Sequence, residues 1–331
     1  MRAIQEEQHG DPDVLTLSQV PLPQVKAGQV LLKIKAAGVN RADAVQRQGY
    51  YPPPPGASSI YGLEAAGRIE ALGPGLDPSL LGQERVALLA AGAYADYVAV
   101  DLEHTLPLPA GVSLSQAAGL MEIAATLYST LFLTLDLPRE RSACQGKSLL
   151  IHGGSGGLGS MGIELARALG LEVFASCGSQ AKCQRASQLG ARAINYREEN
   201  FRQVIQEATG GQGVNYIIDV VGGPYLEDNL KSLAPEGSLA ILGLQGGAKG
   251  QLNLGYMLPR RLSLHTPSLR ARSASYKAQV VSGVQEVIWP LVSAGQLGAH
   301  ISASYRLEEA AQAHWRLESA DHWGKIILEV S

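Results

Sequence analysis

A strand, a glycine-rich turn and a helix follow one another within residues 147–166. Residues 147–152 form a short apolar run, and the turn after it has the spacing G-x-G-x-x-G. Because glycines lack a Cβ atom, such a turn brings the backbone close to a pyrophosphate that lies on the helix N-terminus. The spacing alone also fits a flexible turn in another α/β protein, but the flanking strand and helix favour dinucleotide binding. The predicted binding residues of the turn are Gly154, Ser155, Gly156, Gly157, Leu158 and Gly159.

Strand and helix patterns alternate around this turn, from residue 125 to about residue 266. The predicted strands are 148–152, 172–176, 193–195, 215–220, 238–242 and 262–266. The predicted helices begin near Gly157, Gln180, Glu198, Pro224 and Gly255. Strands that alternate with helices indicate an α/β domain with a doubly wound parallel sheet, whose ligand lies at the carboxyl ends of the strands.

The two ends of the chain have a different pattern. Residues 1–124 hold short β-rich runs broken by proline and glycine, and the loop at 38–62 is long for a structureless connection, which is typical of functional loops. Residues 275–294 are helical in pattern, and the chain closes with strand, helix and strand. Because the backbone groups of the last strand, 325–330, need partners, we expect it to pair with the N-terminal β-rich part. The predicted domains are 1–124, 125–267 and 268–331.

Charge and composition narrow the function classes. The formal net charge is -3, from 27 Lys and Arg against 30 Asp and Glu, so the chain has no general attraction for nucleic acid or anionic membranes. Its longest apolar candidate, 123–135, is too short to span a bilayer. The three cysteines form no C-x-x-C pair and are predicted to be free thiols. These features predict a cytoplasmic protein with no nucleic-acid or membrane partner.

Several segments resemble one family over essentially the whole chain. They are NRADAVQRQGYYPPPPGASSIYGLEAAG near the N-terminus, GAYADYVAV, the glycine turn, GSQAKCQRASQLGARAINYR and the closing GKIIL. Together they resemble the zinc-independent quinone oxidoreductases of the medium-chain dehydrogenase/reductase superfamily, most of all the tumour-suppressor-inducible group. The resemblance implies a Rossmann domain inserted in a GroES-like β-rich catalytic domain, NADPH as cofactor, and a homodimer joined through the Rossmann domains. Segment 135–146 is a few residues longer than is usual in the family.

Residue types argue against a catalytic metal. Zinc-dependent relatives place Cys, His and Cys or Asp around their metal, whereas the matching positions here hold Asn40, then Gly62-Leu63-Glu64, and a segment 118–122 without cysteine. One carboxylate cannot complete a tetrahedral nitrogen and sulfur site. We therefore predict that the protein needs no metal.

The residues after the second predicted strand favour NADPH. A site for NAD carries Asp or Glu about 20 residues beyond the glycine turn, but no acid is present at 174–179. Ser179 can cap the next helix and Lys182 then lies in its first turn, where the helix dipole opposes a cation unless a phosphate is bound. Tyr196 follows the neighbouring strand, and in the family the matching serine, lysine and tyrosine bind the 2′-phosphate. A solvated lysine beside an ordinary helix cap is the alternative.

Further cofactor contacts rest on position or on the family. Thr126 matches a family threonine near the nicotinamide. Gly243 and Leu244 end one predicted strand and Leu269 follows the next, so they are expected to flank the nicotinamide. Lys325, in GKIIL, is expected to approach the cofactor, although it also fits the first residue of a strand.

The candidate substrate residues lie in the N-terminal loop. Asn40 and Tyr51 match the family's asparagine and tyrosine, with Tyr50 and Met121 as weaker candidates. An amide or a phenol can donate a hydrogen bond to a carbonyl oxygen and stabilise the negative charge that develops as hydride arrives. The alternative is a loop whose polar groups only hydrogen-bond to one another.

Three functional interpretations remain open. The first is NADPH-dependent reduction of a quinone or another activated enone by direct hydride transfer. The second is an enoyl-thioester reductase, and the third is a non-catalytic NADPH-binding protein with a structural or sensor role. No G-x-S-x-G motif or pair of acids indicates a competing chemistry.

Overall fold

Two large sheets organise the chain, one in each of two structural units, and a small two-stranded sheet belongs to the first unit. The computed structural model describes residues 1–319 and 321–331. Unit 1 combines Met1–Ala125 with Leu269–Ser331, and unit 2 is Thr126–Ser268. These limits lie one residue beyond those that the sequence predicts. The predicted α/β class, with a parallel sheet inserted into a β-rich unit, is confirmed.

The elements are numbered in chain order. The strands are β1 Arg2–Gln5, β2 Thr16–Gln19, β3 Gln29–Val39, β4 Glu64–Leu72, β5 Glu84–Leu88, β6 Tyr97–Asp101, β7 Thr105–Pro107, β8 Ser148–His152, β9 Glu172–Cys177, β10 Arg192–Asn195, β11 Val214–Asp219, β12 Leu233–Ile241, β13 Ser263–His265, β14 Ile301–Arg306 and β15 Lys325–Glu329. The α-helices are α1 Arg41–Arg47, α2 Leu114–Ala117, α3 Met121–Tyr128, α4 Arg141–Cys144, α5 Gly157–Ala168, α6 Gln180–Gln188, α7 Phe201–Ala208, α8 Leu226–Ser232, α9 Leu254–Arg260, α10 Ala274–Val287, α11 Trp289–Ser293 and α12 Ala310–Glu318.

Unit 2 is built on a six-stranded sheet in the order β10-β9-β8-β11-β12-β13, and every pairing in it is parallel. Counted from β8, this is the order of the dinucleotide-binding doubly wound fold. All five residues of β8 are buried, as expected for a strand with both faces covered. The strand order reverses beside β8, so the crevice at its carboxyl end is where this fold binds a ligand.

Unit 1 contains a seven-stranded sheet in which the last strand of the chain pairs with an early one. β15 pairs antiparallel with β3 and parallel with β14, and its Ile326 lies opposite Val39. The expected return of the C-terminal strand to the N-terminal β-rich part is therefore confirmed. This register brings the start of β15 beside the end of β3, where the candidate residue Asn40 follows.

The loop at 38–62 is not structureless, which corrects the sequence analysis. It contains α1, which begins just after Asn40 and buries Ala44, Gln46 and Arg47. The Asp43 carboxylate accepts a hydrogen bond from the Asn40 backbone N–H at 2.8 Å, which stabilises the helix start. The helix has no apolar periodicity in the sequence, because its buried face carries arginine and glutamine.

Two further differences concern helices. The single helix predicted at 275–294 is two helices, α10 and α11, and the second has Pro290 in its first turn, where proline is tolerated. The helical stretch Leu114–Thr134 is longer than the apolar segment that the sequence indicates, and its length and composition would suffice to cross a membrane. However, 78% of its most apolar 18-residue segment is buried, which is also found in core helices of soluble proteins.

Candidate functional site

The glycine turn joins β8 to α5 through contacts that leave no room for a Cβ atom at Gly154 or Gly159. Gly153 has a φ of +76°, and the Gly154 N–H donates a hydrogen bond to the Ser176 carbonyl at 3.0 Å. A Cβ atom added at Gly154 would lie 2.7 Å from the Ala175 Cβ, and one added at Gly159 would lie 2.6 Å from the Gly154 Cα. The helix N-terminus is thus packed directly onto the end of β8.

A second group of predicted cofactor residues surrounds Gly178, just after β9. Ser179 caps α6, and its hydroxyl accepts a hydrogen bond from the Lys182 backbone N–H at 3.4 Å. The Tyr196 N–H donates to the Cys177 carbonyl at 3.1 Å, and a Cβ atom added at Gly178 would lie 2.6 Å from the Tyr196 hydroxyl oxygen. The structure therefore brings together the Ser179 cap, the helical turn that carries Lys182, and a hydroxyl that is part of a half-exposed side chain.

The remaining predicted cofactor residues divide between the two units. Gly243 follows β12, and a Cβ atom there would lie 2.9 Å from the Val220 carbonyl oxygen, so the turns after β11 and β12 are in close contact. Leu244 is exposed and Thr126 is half-buried, both in unit 2. Leu269 is the first residue of the returning part of unit 1. The cofactor roles of these residues stay predictions.

A buried polar network beneath the glycine turn escaped the sequence analysis. His152 Nε2 lies 2.7 Å from Asn229 Oδ1 and His152 Nδ1 lies 2.8 Å from Ser176 Oγ. The Asn229 amide nitrogen donates to Asp219 Oδ2 at 3.1 Å, so Asn229 Oδ1 accepts the proton of Nε2 and Ser176 donates to Nδ1. Burial lowers the pKa of His152 to about 4, so the ring is neutral. The network ties the carboxyl ends of β8, β9 and β11 to α8.

Lys325 forms a buried ion pair in unit 1. Its ammonium donates to Glu64 Oε1 at 2.6 Å, to Asn40 Oδ1 at 2.6 Å and to the Val39 carbonyl at 3.2 Å. The lysine is 4% exposed and Glu64 is fully buried. Because an ammonium has three hydrogens, these three acceptors account for all of them. Lys325 is thus held inside unit 1, and its predicted approach to a cofactor would require one of these bonds to break.

Asn40 is held by the same cluster. Its amide nitrogen donates to the Gly38 carbonyl at 3.3 Å and to Glu64 Oε1 at 3.1 Å, while its amide oxygen accepts from Lys325. A Cβ atom at Gly38 would collide with the Glu64 carboxylate, so glycine makes room for the cluster. Both amide hydrogens of Asn40 therefore have acceptors within unit 1. Its predicted role as a substrate donor stays a prediction, and the geometry favours a structural role.

A second buried cluster extends from Asp43. Its Oδ2 accepts from the Tyr94 hydroxyl at 3.1 Å, and its Oδ1 accepts from the Gly62 N–H at 3.2 Å. Burial raises the pKa of Asp43 to about 6. The Tyr94 oxygen lies 3.2 Å from His314 Nε2, and burial lowers the pKa of His314 to about 3. Because Tyr94 donates to Asp43, the neutral His314 donates to Tyr94. His152 and His314 are thus both core residues.

Tyr51 lies in the loop after α1 and is half-buried, whereas its neighbour Tyr50 is 81% exposed. The Tyr51 carbonyl accepts a hydrogen bond from Arg270 Nη1 at 3.0 Å, and the guanidinium carbon lies 5.1 Å from the centre of the Tyr51 ring. Met121, the other weak candidate, is fully buried. Tyr51 is therefore the candidate substrate residue whose side chain is polar, partly accessible and fixed by a neighbour.

The residues at the positions matching a catalytic metal site form no ligand set. Within residues 1–319 and 321–331, no group of three or more His, Cys, Asp or Glu side chains could hold a metal ion. Instead, Asn40 and Glu64 face the Lys325 ammonium.

Comparisons with known proteins agree on one family. A family model described as alcohol dehydrogenase GroES-like domain matches residues 26–110, and one described as zinc-binding dehydrogenase matches residues 157–285. Quinone oxidoreductase of Rattus norvegicus is 32% identical over 99% of this chain and 97% of its own length. Quinone oxidoreductase 1 of Escherichia coli K12 is 30% identical over 98% of both. The solved structure of Escherichia coli quinone oxidoreductase complexed with NADPH has a TM-score of 0.88 and 29% identity, covering 99% of this chain and 100% of that one.

Proposed function

The chain belongs to the medium-chain dehydrogenase/reductase superfamily, among its quinone oxidoreductases, and on that premise we propose that it reduces quinones with NADPH by direct hydride transfer. The proposal includes other activated enones as substrates. The observation that carries it is the pairing of a closely packed glycine turn with a phosphate site that lacks an acid. Both features lie in unit 2, at the carboxyl ends of neighbouring strands.

The residues present fit NADPH. The lack of a Cβ atom at Gly154 and Gly159 allows the turn to pack closely, so the α5 amides can donate to the pyrophosphate. Ser179 and Tyr196 would donate hydroxyl hydrogens to the 2′-phosphate, and Lys182 would add a charge-assisted bond. The phosphate would also offset the unfavourable position of that lysine in the first turn of α6. Thr126, Gly243 and Leu244, all in unit 2, are proposed to flank the nicotinamide, and a cofactor contact is proposed separately for Leu269.

The proposed chemistry asks little of the side chains. Bound NADPH would supply a hydride from the nicotinamide C4, and this hydride with one proton from solvent would convert a quinone to its hydroquinone. The chain orients the substrate, and the Tyr51 hydroxyl donates a hydrogen bond to the oxygen on which negative charge develops. Asn40 is proposed to support this region through its bonds to Glu64 and Lys325. A quinone suits such a site because its reduced oxygens delocalise charge into the ring.

We also propose that catalysis needs no metal. The support is the chemistry of the donor set: Asn40 and Glu64 hold the Lys325 ammonium at the position that matches a metal site. A lysine with three hydrogen-bond acceptors neutralises the carboxylate without offering a coordination position to a substrate.

A patch of exposed leucines supports the proposed homodimer. α9 carries Leu254 and Leu258, four residues apart and 66% and 82% exposed. Both lie just before β13, which is the edge strand of the unit 2 sheet. Exposed apolar patches beside an unpaired strand edge are typical of association sites. The leucine patch consists of Leu252, Leu254 and Leu258, which follow one another closely in the sequence. We propose that two copies join through it, and that the protein is cytoplasmic, in keeping with its three free cysteines.

Steady-state oxidation of NADPH tests the function. The substrates are ortho-naphthoquinone, an enone and an enoyl thioester with NADPH, and a simple alcohol in a separate assay in which NADP+ is the oxidant; each is assayed before and after chelation. We expect turnover with the quinone and the enone, unchanged by chelation. Faster turnover of the thioester would favour the second interpretation, and NADPH binding without turnover would favour a non-catalytic protein. Alcohol oxidation that is lost on chelation would reject the proposal.

A further inference from the structure

Arg270 holds three separate segments of unit 1 together. Its Nε donates to the Ala90 carbonyl at 2.7 Å, its Nη1 to the Tyr51 carbonyl at 3.0 Å, and its Nη2 to Gln46 Oε1 at 2.5 Å. These acceptors belong to the segment after β5, the loop after α1, and α1 itself. Arg270 follows Leu269, so the residue that fixes the Tyr51 loop comes from the far end of the sequence.

The charge of Arg270 is not paired with an acid. Among the described residues no carboxylate lies within ion-pair distance of the guanidinium, and the side chain belongs to a residue that is only 6% exposed. Its partners are oxygen dipoles and the face of the Tyr51 ring, 5.1 Å away. A buried cation is costly, so the surrounding dipoles, the aromatic face and the longer-range attraction of the Asp43 carboxylate must together offset its desolvation.

This position gives the guanidinium two effects on one tyrosine. The bond to the Tyr51 carbonyl fixes the backbone, and the cation over the ring withdraws electron density from the phenol. Electron withdrawal makes a hydroxyl a stronger hydrogen-bond donor, and a positive charge nearby favours an oxygen that gains negative charge in the transition state. A neutral side chain of similar length would keep some packing but neither electrostatic effect.

We propose that Arg270 is a positioning residue for substrate reduction, which acts by orienting and polarising Tyr51. The inference rests on the proposed function, in which Tyr51 donates to the substrate oxygen. The competing interpretation is that Arg270 only holds the loop to α1. In that case its loss lowers stability and the amount of folded enzyme, but it leaves the turnover number of the folded fraction unchanged.

Kinetics of four variants separate the two interpretations: Arg270→Met, Arg270→Lys, Tyr51→Phe and the double variant Arg270→Met with Tyr51→Phe. With ortho-naphthoquinone, we expect Arg270→Met to lower kcat about tenfold with a smaller change in KM, and Arg270→Lys to recover part of it because it keeps the charge. If Arg270 acts through Tyr51, the double variant has the kcat of Tyr51→Phe alone. Effects that multiply, or an unchanged kcat in Arg270→Met, would overturn the proposal.

Arg272→Met is the matched control, because Arg272 also lies over a tyrosine ring, that of Tyr276, at 4.7 Å. We expect its kcat to equal that of the wild type. Thermal unfolding of every variant shows how much of each is folded, and Arg270→Lys keeps the test valid if Arg270→Met does not fold.

A readout without turnover keeps failure of this proposal distinct from failure of the proposed function. Fluorotyrosine is incorporated, and the fluorine NMR signal of position 51 is assigned by its loss in Tyr51→Phe. We expect Arg270→Met to shift this signal and Arg272→Met to leave it in place. An unshifted signal would refute the effect on Tyr51 even if the enzyme reduces quinones. A shifted signal in a protein that reduces none would support the contact and reject only the reaction.

Discussion

Replacing Lys325 with methionine would leave the Glu64 carboxylate buried without its cation. Removal of one partner of a buried ion pair typically costs about 3–5 kcal/mol, because the remaining charge is uncompensated. Here Glu64 would keep the Glu122 N–H at 2.9 Å and the Asn40 amide at 3.1 Å, so we expect the lower end of that range, about 3 kcal/mol. For a unit of this size the change lowers Tm by on the order of 10 °C.

The companion variant is Lys325→Met with Glu64→Gln, which removes both charges. We expect it to regain most of the lost stability, since a neutral pair of similar shape avoids the buried charge. Urea unfolding followed by circular dichroism gives the free energies of both single variants and the double variant. The control is Arg68→Met, which breaks an exposed ion pair with Glu84 in the same unit and is expected to cost less than about 1 kcal/mol. The reasoning would be refuted if Lys325→Met were as stable as the wild type, or if the double variant were as unstable as Lys325→Met.

Three further predictions concern unit 2. Lys182→Ala should weaken NADPH binding by roughly one to two decades and leave NADH nearly unchanged, as titration of both cofactors would show; equal losses would make the lysine structural. The pKa of His152 is depressed to about 4 from 6.5, so its contribution to stability is complete above pH 6.5 and is lost as pH falls toward 4. Urea unfolding of wild type and His152→Gln at pH 6.5 and pH 4 should show a larger loss of unfolding free energy at the lower pH in the wild type. Equal losses in the two proteins would contradict this prediction. Leu258→Asp should turn a dimer into a monomer in light scattering, while a dimer that persists would place the interface elsewhere.

Unit 2 could be predicted from the sequence because its signals are local. The glycine turn, the strand before it and the helix after it lie within 20 neighbouring residues, and each apolar strand is bounded by its own turn. All six predicted strands are present, although β12 begins five residues earlier than expected. The early part of β12 includes Glu236 with a φ of +64°, an irregular position that apolar periodicity does not reveal.

The polar clusters of unit 1 could not be predicted in the same way. Glu64 and Lys325 are separated by 261 positions in the sequence, and only the pairing of β15 with β3 brings them together. In the sequence, a lysine that begins a strand resembles a surface residue. The lone glutamate after Gly62-Leu63 indicates only that the metal ligands of zinc-dependent relatives are absent. Asp43 is also inconspicuous, because its partners Gly62 and Tyr94 lie on other segments.

Because of these clusters, we propose different roles for the loop residues Asn40 and Tyr51. The sequence makes Asn40 and Tyr51 equivalent candidates, since both can donate to a carbonyl oxygen. In the structure both hydrogens of the Asn40 amide have acceptors, and its oxygen is held by Lys325, so using Asn40 as a donor would unbalance a buried charge. Tyr51 is only half-buried and is not part of the Glu64 and Lys325 ion pair, and its ring already faces the Arg270 cation. The proposed reaction therefore depends on a neutral phenol near a fixed positive charge. Such a site suits a substrate whose product stabilises its own oxyanion. It does not suit an unactivated alcohol, because oxidation of an alcohol needs a base or a metal to take its proton.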